Sequence, residues 1–376
     1  MALAELLEAA RRLKRASGAR TLELYAYNFN THRDILALLF GLNRLFDAVG
    51  AMSQRVDLLD RTPGLLEAEA AAGKRHFTLG IEGISARLRA WLHKSLPDEA
   101  IQGTLARLLQ AKIRQVKLFY LLTGYERPED WEEFRAFVRA LKALRRAHNP
   151  GIRVTFSFGL LVRMPFTPLR YDRLFLEPEA WKPLIGAARS ACETNGFEFR
   201  LAMGWDEYCV SQVLALADYG LWRALVELAE GGACFDERLP PGYWEALRSW
   251  MQAHGLWTPA LLGEKGPAAH FPFAFVETGV QPEFLYRQYA CAQAGGPDEG
   301  YCLGGPTDAG RCLGCGACAG EEQRAAITQH IIRPADEAHS LPRLERMMRE
   351  KWRLKPVYVW VRLPRATAGA LSLIHI

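Results

Sequence analysis

The hydrophobic positions of this chain change repeatedly between two periods. Short apolar runs such as 76–82, 115–122 and 153–162 are rich in branched and aromatic residues, and each is followed by a segment with helical periodicity. Strands that alternate with helices at intervals of roughly 25–40 residues are typical of βαβ units and a parallel sheet. The pattern therefore predicts an α/β fold whose sheet forms a partial parallel (β/α) barrel, followed by a helical segment and a Cys-rich loop.

The predicted elements divide the chain into five parts. Strands are expected at 21–27, 51–56, 76–82, 115–122, 153–162 and 197–204, and helices at 1–18, 35–46, 63–72, 85–93, 98–110 and 128–147. We expect a barrel over 1–204, a helical extension over 205–295, a Cys-rich loop over 296–320 and the start of a further domain over 321–370. The alternating run 356–365 predicts a strand of that last domain. Residues 371–376 resemble a translated sequencing adapter and are left out of the fold prediction.

Polar residues follow five consecutive predicted strands. They are Asn28 and Asn30, Gln54 and Arg55, Glu82 and Ser85, Thr123 and Glu126, and Arg163. Each one alone could simply cap the next helix, but ligands of parallel α/β folds bind at the carboxyl ends of strands. The repetition therefore favours a binding site at this edge.

Glu82 is the most informative of these residues. It follows an apolar strand directly and precedes Gly83, where the chain can turn closely around a ligand. Its carboxylate could accept hydrogen bonds from hydroxyl or amino groups, or it could cap a helix. Arg89 and Lys94, on the next helix, could meet an anionic group or form a solvated helix face.

Three cysteines near the end of the chain form the run Cys312-Leu-Gly-Cys315-Gly-Ala-Cys318. Thiolates with this spacing suit either an iron–sulfur cluster or tetrahedral zinc. Cys302 is the expected fourth ligand and Cys291 is the alternative. The remaining cysteines stand apart and are expected to be buried or incidental thiols: Cys192, Cys209 and Cys234.

Composition narrows the class of protein. A hydrophobic content of 49% with 24% charged residues is that of an ordinary globular protein, and a net charge of +5 is too small to indicate nucleic-acid binding by itself. No run approaches the roughly 18 apolar residues of a membrane span, and the amphipathic start has no signal-peptide core. We therefore expect a cytoplasmic protein without a membrane partner, whose eight cysteines are reduced or bind metal.

Taken in order, the strand-end motifs resemble the radical S-adenosylmethionine (radical SAM) superfamily, and most closely its branch with an upstream cobalamin-binding domain. The motifs are Tyr27-Asn-Phe-Asn30, Met52-Ser-Gln-Arg55, Leu79-Gly-Ile-Glu-Gly-Ile-Ser85, Phe119-Tyr-Leu-Leu-Thr-Gly124 and the Pro-Phe-Thr-Pro strand end that closes at Pro168. The resemblance covers about residues 1–200 and implies a TIM-like barrel that binds S-adenosylmethionine. It implies that Glu82, with Ser85 in the same motif and with Arg89 and Lys94, contacts ribose and methionine. It also implies that Asn28, Asn30 and Arg55 line the cavity, and that the backbone around 161–163, including Arg163, flanks adenine.

One departure from the superfamily pattern is decisive for activity. The Cys-x3-Cys-x2-Cys motif should precede the first strand, yet Cys192 is the first cysteine of the chain. We therefore expect an inactive fragment of a radical SAM enzyme whose substrate and catalytic residues are unknown. Cobalamin would belong to a preceding domain, and the three late cysteines to an auxiliary cluster or a structural metal.

Two other classes of function fit parts of the sequence. The Cys run could be a zinc knuckle of an RNA- or protein-binding module, with Tyr243, Trp244, Arg248 and Trp250 available for stacking. The helical spacing of these residues is equally typical of a packed core. A parallel-barrel enzyme without radical chemistry is the third possibility.

Overall fold

The computed structural model describes residues 1–26, 29–94, 96–234, 238–304 and 308–353. Two parallel sheets form within them. Strand β1 (Thr21–Leu24) pairs with β2 (Ala48–Ala51), and a second sheet has five strands in chain order. These are β3 (Gln54–Arg55), β4 (His76–Glu82), β5 (Gln115–Leu122), β6 (Arg153–Leu160) and β7 (Glu198–Leu201). The mixed α/β fold with a parallel sheet is confirmed, and a barrel stays a prediction.

Fifteen α-helices are found in the described part of the chain. They are α1 (Leu3–Ser17), α2 (Ile35–Leu45), α3 (Val56–Arg61), α4 (Leu65–Ala71), α5 (Ala86–Trp91), α6 (Asp98–Gln110), α7 (Pro128–His148), α8 (Pro178–Glu193), α9 (Trp205–Leu216), α10 (Leu221–Glu230), α11 (Tyr243–Ala253), α12 (Pro259–Leu262), α13 (Pro282–Gln293), α14 (Glu321–Thr328) and α15 (Leu341–Lys351). Among the helices so described, none is long and apolar enough to cross a membrane.

The core lies between one face of the larger sheet and the helices that connect its strands. Along β5, alternate residues from Val116 to Leu122 are buried, while the residues between them are half-buried. Tyr120 stacks on Phe158 of β6 at 5.2 Å between ring centroids and meets the edge of Phe134 of α7 at 5.4 Å. Successive right-handed crossovers place their helices on the same face of such a sheet.

The structure differs from the predicted elements in several places. Strands β1, β6 and β7 are shorter than predicted, and α3 forms where no helix is predicted. The strand predicted at 51–56 is divided between β2 and β3, which belong to different sheets. The helix predicted at 63–72 begins instead at Leu65, because Pro63 and the left-handed Gly64 (φ 80°) form the turn after α3. Helix α8 has no predicted counterpart, because Pro183 and Gly186 inside it weaken the helical pattern.

The predicted helical extension is also interrupted. No helix spans 263–281, a stretch of described chain rich in glycine and proline that runs from the end of α12 to the start of α13. Residues 296–304 and 308–320 have neither helix nor strand, as expected for the Cys-rich loop. The strand predicted at 356–365 and the segment 371–376 lie outside the described residues.

Candidate cofactor and metal site

Glu82 and Lys94 form an ion pair at the carboxyl end of β4. Lys94 Nζ donates to Glu82 Oε1 at 2.7 Å, and both side chains are about one-quarter exposed, at 23% and 25%. The pair lies over Gly80, where an added Cβ would stand 2.5 Å from the carboxylate oxygen and 3.1 Å from the ammonium nitrogen. The absence of a side chain at Gly80 therefore makes the room that this charged pair occupies.

The backbone at this strand end is unusual. Glu82 has a left-handed conformation, with φ 72°, which costs a residue with a Cβ about 1–2 kcal/mol. The register with β5 shifts between Gly80 and Glu82. At Gly83 an added Cβ would lie 2.5 Å from the Arg89 nitrogen, so the chain passes directly against α5. The turn expected at Gly83 is present. The strained, left-handed backbone is that of Glu82, and Gly83 instead allows the close approach to α5.

A cavity of about 490 Å³ lies beside the end of β3. Arg55 lines it, pairs with Asp57 at 2.5 Å and stacks on the ring of Tyr301 at 4.2 Å. Residues 298–301, 303–304 and 308–311, in the first part of the Cys-rich loop, also line it. The structure therefore places a predicted cofactor residue and the Cys-rich loop around one cavity.

Asn30 lies next to Arg55 and is fully buried. Its Nδ2 donates to the Arg55 carbonyl at 3.3 Å, whereas its Oδ1 has no hydrogen-bond partner among the described residues. A buried amide oxygen without a partner is costly, and a ligand hydroxyl or amine would satisfy it. The neighbouring prediction, Asn28, lies outside the described residues.

Ser85 and Arg89 have protein partners that account for their positions. Ser85 Oγ accepts from the Leu88 amide at 3.2 Å, as a helix cap does, and donates to Asp130 at 2.5 Å. Arg89 is 3% exposed and donates to the Leu96 carbonyl at 2.9 Å and to Asp98 at 2.5 Å. Of the two predicted cations on this segment, it is Lys94 that reaches Glu82.

Arg163 is completely buried and its guanidinium is fully engaged by the protein. It donates to Asp172 at 3.0 Å and to the carbonyls of Leu161 and Thr123, each at 2.8 Å. Gln212 pairs with its backbone amide and carbonyl at 2.7 and 3.1 Å. These bonds join the segments that follow β5 and β6, which makes Arg163 a structural residue of the site.

Asp172, the partner of Arg163, is a buried residue that sequence reasoning missed. Its Oδ1 accepts from the Tyr125 hydroxyl at 2.6 Å, and the Tyr289 hydroxyl and Gln293 lie 3.4 Å away. Burial and the hydrogen bond to Asp172 raise the pKa of Tyr125 to about 12. A single aspartate in an irregular segment gives no periodic signal, so only the three-dimensional arrangement reveals this network.

The Cys-rich loop is fixed by backbone contacts with α13 and α14. The amide of Gln281, the residue before α13, donates to the Cys315 carbonyl at 2.8 Å. The Gly310 amide donates to the Thr328 carbonyl of α14 at 2.6 Å. An added Cβ at Gly310 would overlap the Cys302 carbonyl oxygen. The lack of a side chain at Gly310 therefore allows the backbone of Gly310 to contact that of Cys302.

The four predicted thiols are electrostatic neighbours. Burial raises the pKa of Cys302, and the nearby thiols of Cys315, Cys318 and Cys312 raise it further. The alternative ligand, Cys291, instead faces the Pro297 carbonyl, 3.7 Å from its sulfur. Within the described ranges, no three Cys, His, Asp or Glu side chains converge as a ligand set. An all-thiol donor set suits a soft metal in its chemistry, and the sulfurs must draw closer together to bind one.

The aromatic residues of α11 belong to the core. Tyr243 and Trp244 are 7% and 2% exposed, and Trp250 donates its ring N–H to Glu227 at 2.6 Å. Packing buries Tyr243 and Trp244, which therefore have no free faces on which bases could stack, while the half-buried Trp250 stacks on His254 at 3.8 Å.

In the comparisons with known proteins, no family model matches the chain and no curated protein is similar to it.

Proposed function

We propose that this chain is part of a radical SAM enzyme and forms its site for S-adenosylmethionine, beside a thiolate metal centre. The observation that carries the proposal is the Glu82–Lys94 pair, which lies over Gly80 at the carboxyl end of a parallel strand. Residues held in strained backbone conformations concentrate at functional sites, and the left-handed Glu82 is one of them.

The charges of this pair match those of the ligand. The methionine part of S-adenosylmethionine carries an ammonium and a carboxylate, and Glu82 and Lys94 offer the complementary carboxylate and ammonium. In the structure the two side chains satisfy each other at 2.7 Å. A bound zwitterion would exchange that single contact for two charge-assisted hydrogen bonds, which are stronger than neutral ones.

Two residues of the neighbouring strand end support the same assignment. Asn30 Oδ1 is buried without a partner among the described residues, next to Arg55, which lines the cavity of about 490 Å³. That volume falls within the usual range for small-molecule sites. In such an enzyme the bound cofactors supply the radical or methyl group, and the residues of this chain bind and orient them. Cobalamin, if used, would be held by another domain.

For the metal we propose an iron–sulfur cluster bound by Cys302, Cys312, Cys315 and Cys318. The Cys-x2-Cys-x2-Cys spacing supports a cluster. The effect of the other three thiols on the pKa of Cys302, together with the contact of Cys291 with the Pro297 carbonyl, supports Cys302 over Cys291 as the fourth ligand. Structural zinc is the second candidate, because the same thiolates bind it tetrahedrally.

Calorimetric titration with S-adenosylmethionine tests the cofactor site. Glu82→Ala should weaken binding by about 1–3 kcal/mol, because partners of the carboxylate on the ligand are left unpaired. Glu132→Ala, on the exposed face of α7, is the control and should bind as the wild type does. Equal affinity of the Glu82→Ala variant and the wild type would reduce Glu82 to a structural residue.

Metal analysis of anaerobically purified protein tests the thiol centre separately. Cys315→Ser should lose most of the bound metal, while Cys234→Ser, at an exposed cysteine outside the loop, should keep it. Brown protein that contains iron supports the cluster, and colourless protein with stoichiometric zinc supports the knuckle. If the Cys315→Ser protein retains its metal, these cysteines are not its ligands.

A further inference from the structure

A second cavity, of about 450 Å³, lies between the segment that follows β6 and the irregular stretch before α13. Four aromatic rings form one part of its wall. Phe271 stacks on Phe273 at 5.3 Å, and Phe166 and Tyr171 meet these two rings edge-on at 5.2 and 5.3 Å. None of its lining residues lines the cavity beside Arg55.

Arg170 is the buried charge of this cavity. It is 8% exposed, lies over the rings of Tyr171 and Phe271 at 4.7 and 4.5 Å, and donates one hydrogen bond, to the Tyr171 hydroxyl at 2.6 Å. Its Nε is buried without a partner, and in the described part of the chain no carboxylate pairs with it. Buried arginines are nearly always paired, so a cation left in this state indicates a missing anion.

We propose that this cavity binds a small carboxylate with a flat aromatic body. The guanidinium offers parallel N–H donors that match the two oxygens of a carboxylate. The four aromatic rings offer an apolar surface for a flat group, with which edge-on and offset contacts are favourable. Glu277 and His270 line the cavity as exposed residues, so the positive charge of Arg170 is the one held inside.

The chemistry of the walls argues against other small ligands. A cation would meet the guanidinium, and a phosphate ester would need more donors than a single arginine among aromatic rings provides. The proposal does not rest on S-adenosylmethionine binding, because Glu82, Lys94 and Arg55 take no part in this cavity.

The experiment is a calorimetric comparison of 3-phenylpropionate with its neutral amide, 3-phenylpropionamide, on the full chain. The acid should bind at least about tenfold more tightly than the amide, because only the acid pairs with Arg170. Arg170→Gln should remove that preference, whereas Arg223→Gln, at an exposed arginine outside the cavity, should keep it. Phe273→Ala should weaken the acid and the amide alike, because it removes part of the ring wall.

The same calorimetric comparison can also refute the proposal. Equal affinities of the wild type for acid and amide, or no binding of the acid at concentrations up to about 10 mM, would refute it. Retention of the acid preference in Arg170→Gln would refute the role of that residue. The comparison of the two ligands on the wild type remains valid even if a variant fails to fold. Binding only to peptides with an aromatic C-terminal residue would reject a small-molecule site.

Discussion

Glu82 combines backbone strain with a charged side chain, and the two can be separated by substitution. Replacing Glu82 by glycine removes the side chain and relaxes the left-handed backbone, whereas alanine removes the side chain and keeps the strain. Glu82→Gly should therefore be more stable than Glu82→Ala by about 1 kcal/mol, and both should lose affinity for S-adenosylmethionine. Urea unfolding of the two variants measures the difference. Equal stability would mean that the turn relaxes at no cost.

Arg163 shows how a residue of the predicted site can serve the fold. Its removal would leave Asp172 as a buried, unpaired charge, so Arg163→Gln should lower the free energy of unfolding by about 3–5 kcal/mol. Arg173→Gln, nearby and exposed, has only ring contacts to lose among the described residues and should cost less than about 1 kcal/mol. Chemical denaturation of both proteins gives the comparison. A small loss for Arg163→Gln would show that the network tolerates an uncompensated carboxylate.

For single residues, the sequence predicts where a side chain lies in the fold better than it predicts which residue it pairs with. Glu82 was expected at the carboxyl edge of the sheet, and Lys94, three residues beyond the end of α5, reaches it there. The pairing of Arg163 with Asp172 depends on how two irregular segments fold back on each other. No local pattern encodes that contact, so the structural role of Arg163 could not be foreseen.

At the scale of elements, strong periodicity gave accurate boundaries. Strands β4 and β5 and helix α6 begin and end where the pattern predicts, because their apolar positions are unbroken and their flanks are polar. Short strands were less predictable. β3 has two residues, and its assignment to the larger sheet depends on pairing with β4, which single-sequence periodicity does not contain.

The Cys-rich loop offers a prediction about its glycines. Gly310→Ala should force Cys302 away from Gly310, because the new methyl group would overlap the Cys302 carbonyl. We expect lower metal content and faster amide exchange over 308–318. Gly320→Ser, in the same loop but with open space at its Cβ position, should leave both unchanged, since serine is also a good helix cap. Normal metal content in Gly310→Ala would contradict this packing role.

On the scale of the whole molecule, His93 joins three distant parts of the chain. It follows α5, faces the Gln288 carbonyl of α13 at 3.2 Å, and lies 3.5 Å from the buried carboxylate of Asp298 in the Cys-rich loop. The hydrogen bond to Asp298 raises the pKa of His93 against the opposing effect of burial, with smaller contributions from Gln288 and Glu299. Protonated His93 therefore ties the end of α5 to the loop.

The stability of this connection should depend on pH. Because the folded-state pKa of His93 is raised, its contribution is complete below the unfolded-state value of about 6.5 and is lost as pH rises through the folded-state pKa. The difference in unfolding free energy between the wild type and His93→Gln should be larger at pH 5.5 than at pH 8. Asp298→Asn should remove the same pH-dependent part. A difference that is constant across this range would exclude a charged His93.

Gln281 connects the cavity beside Arg170 with the Cys-rich loop. It lines the cavity beside Arg170, while its backbone amide donates to the carbonyl of Cys315. An occupant that orders this residue therefore also restricts the chain between two thiols. Thermodynamic reciprocity then requires that any factor by which metal tightens carboxylate binding is the factor by which carboxylate tightens metal binding. The metal and the carboxylate would then affect each other's binding without contact, through the hydrogen bond between the Gln281 amide and the Cys315 carbonyl.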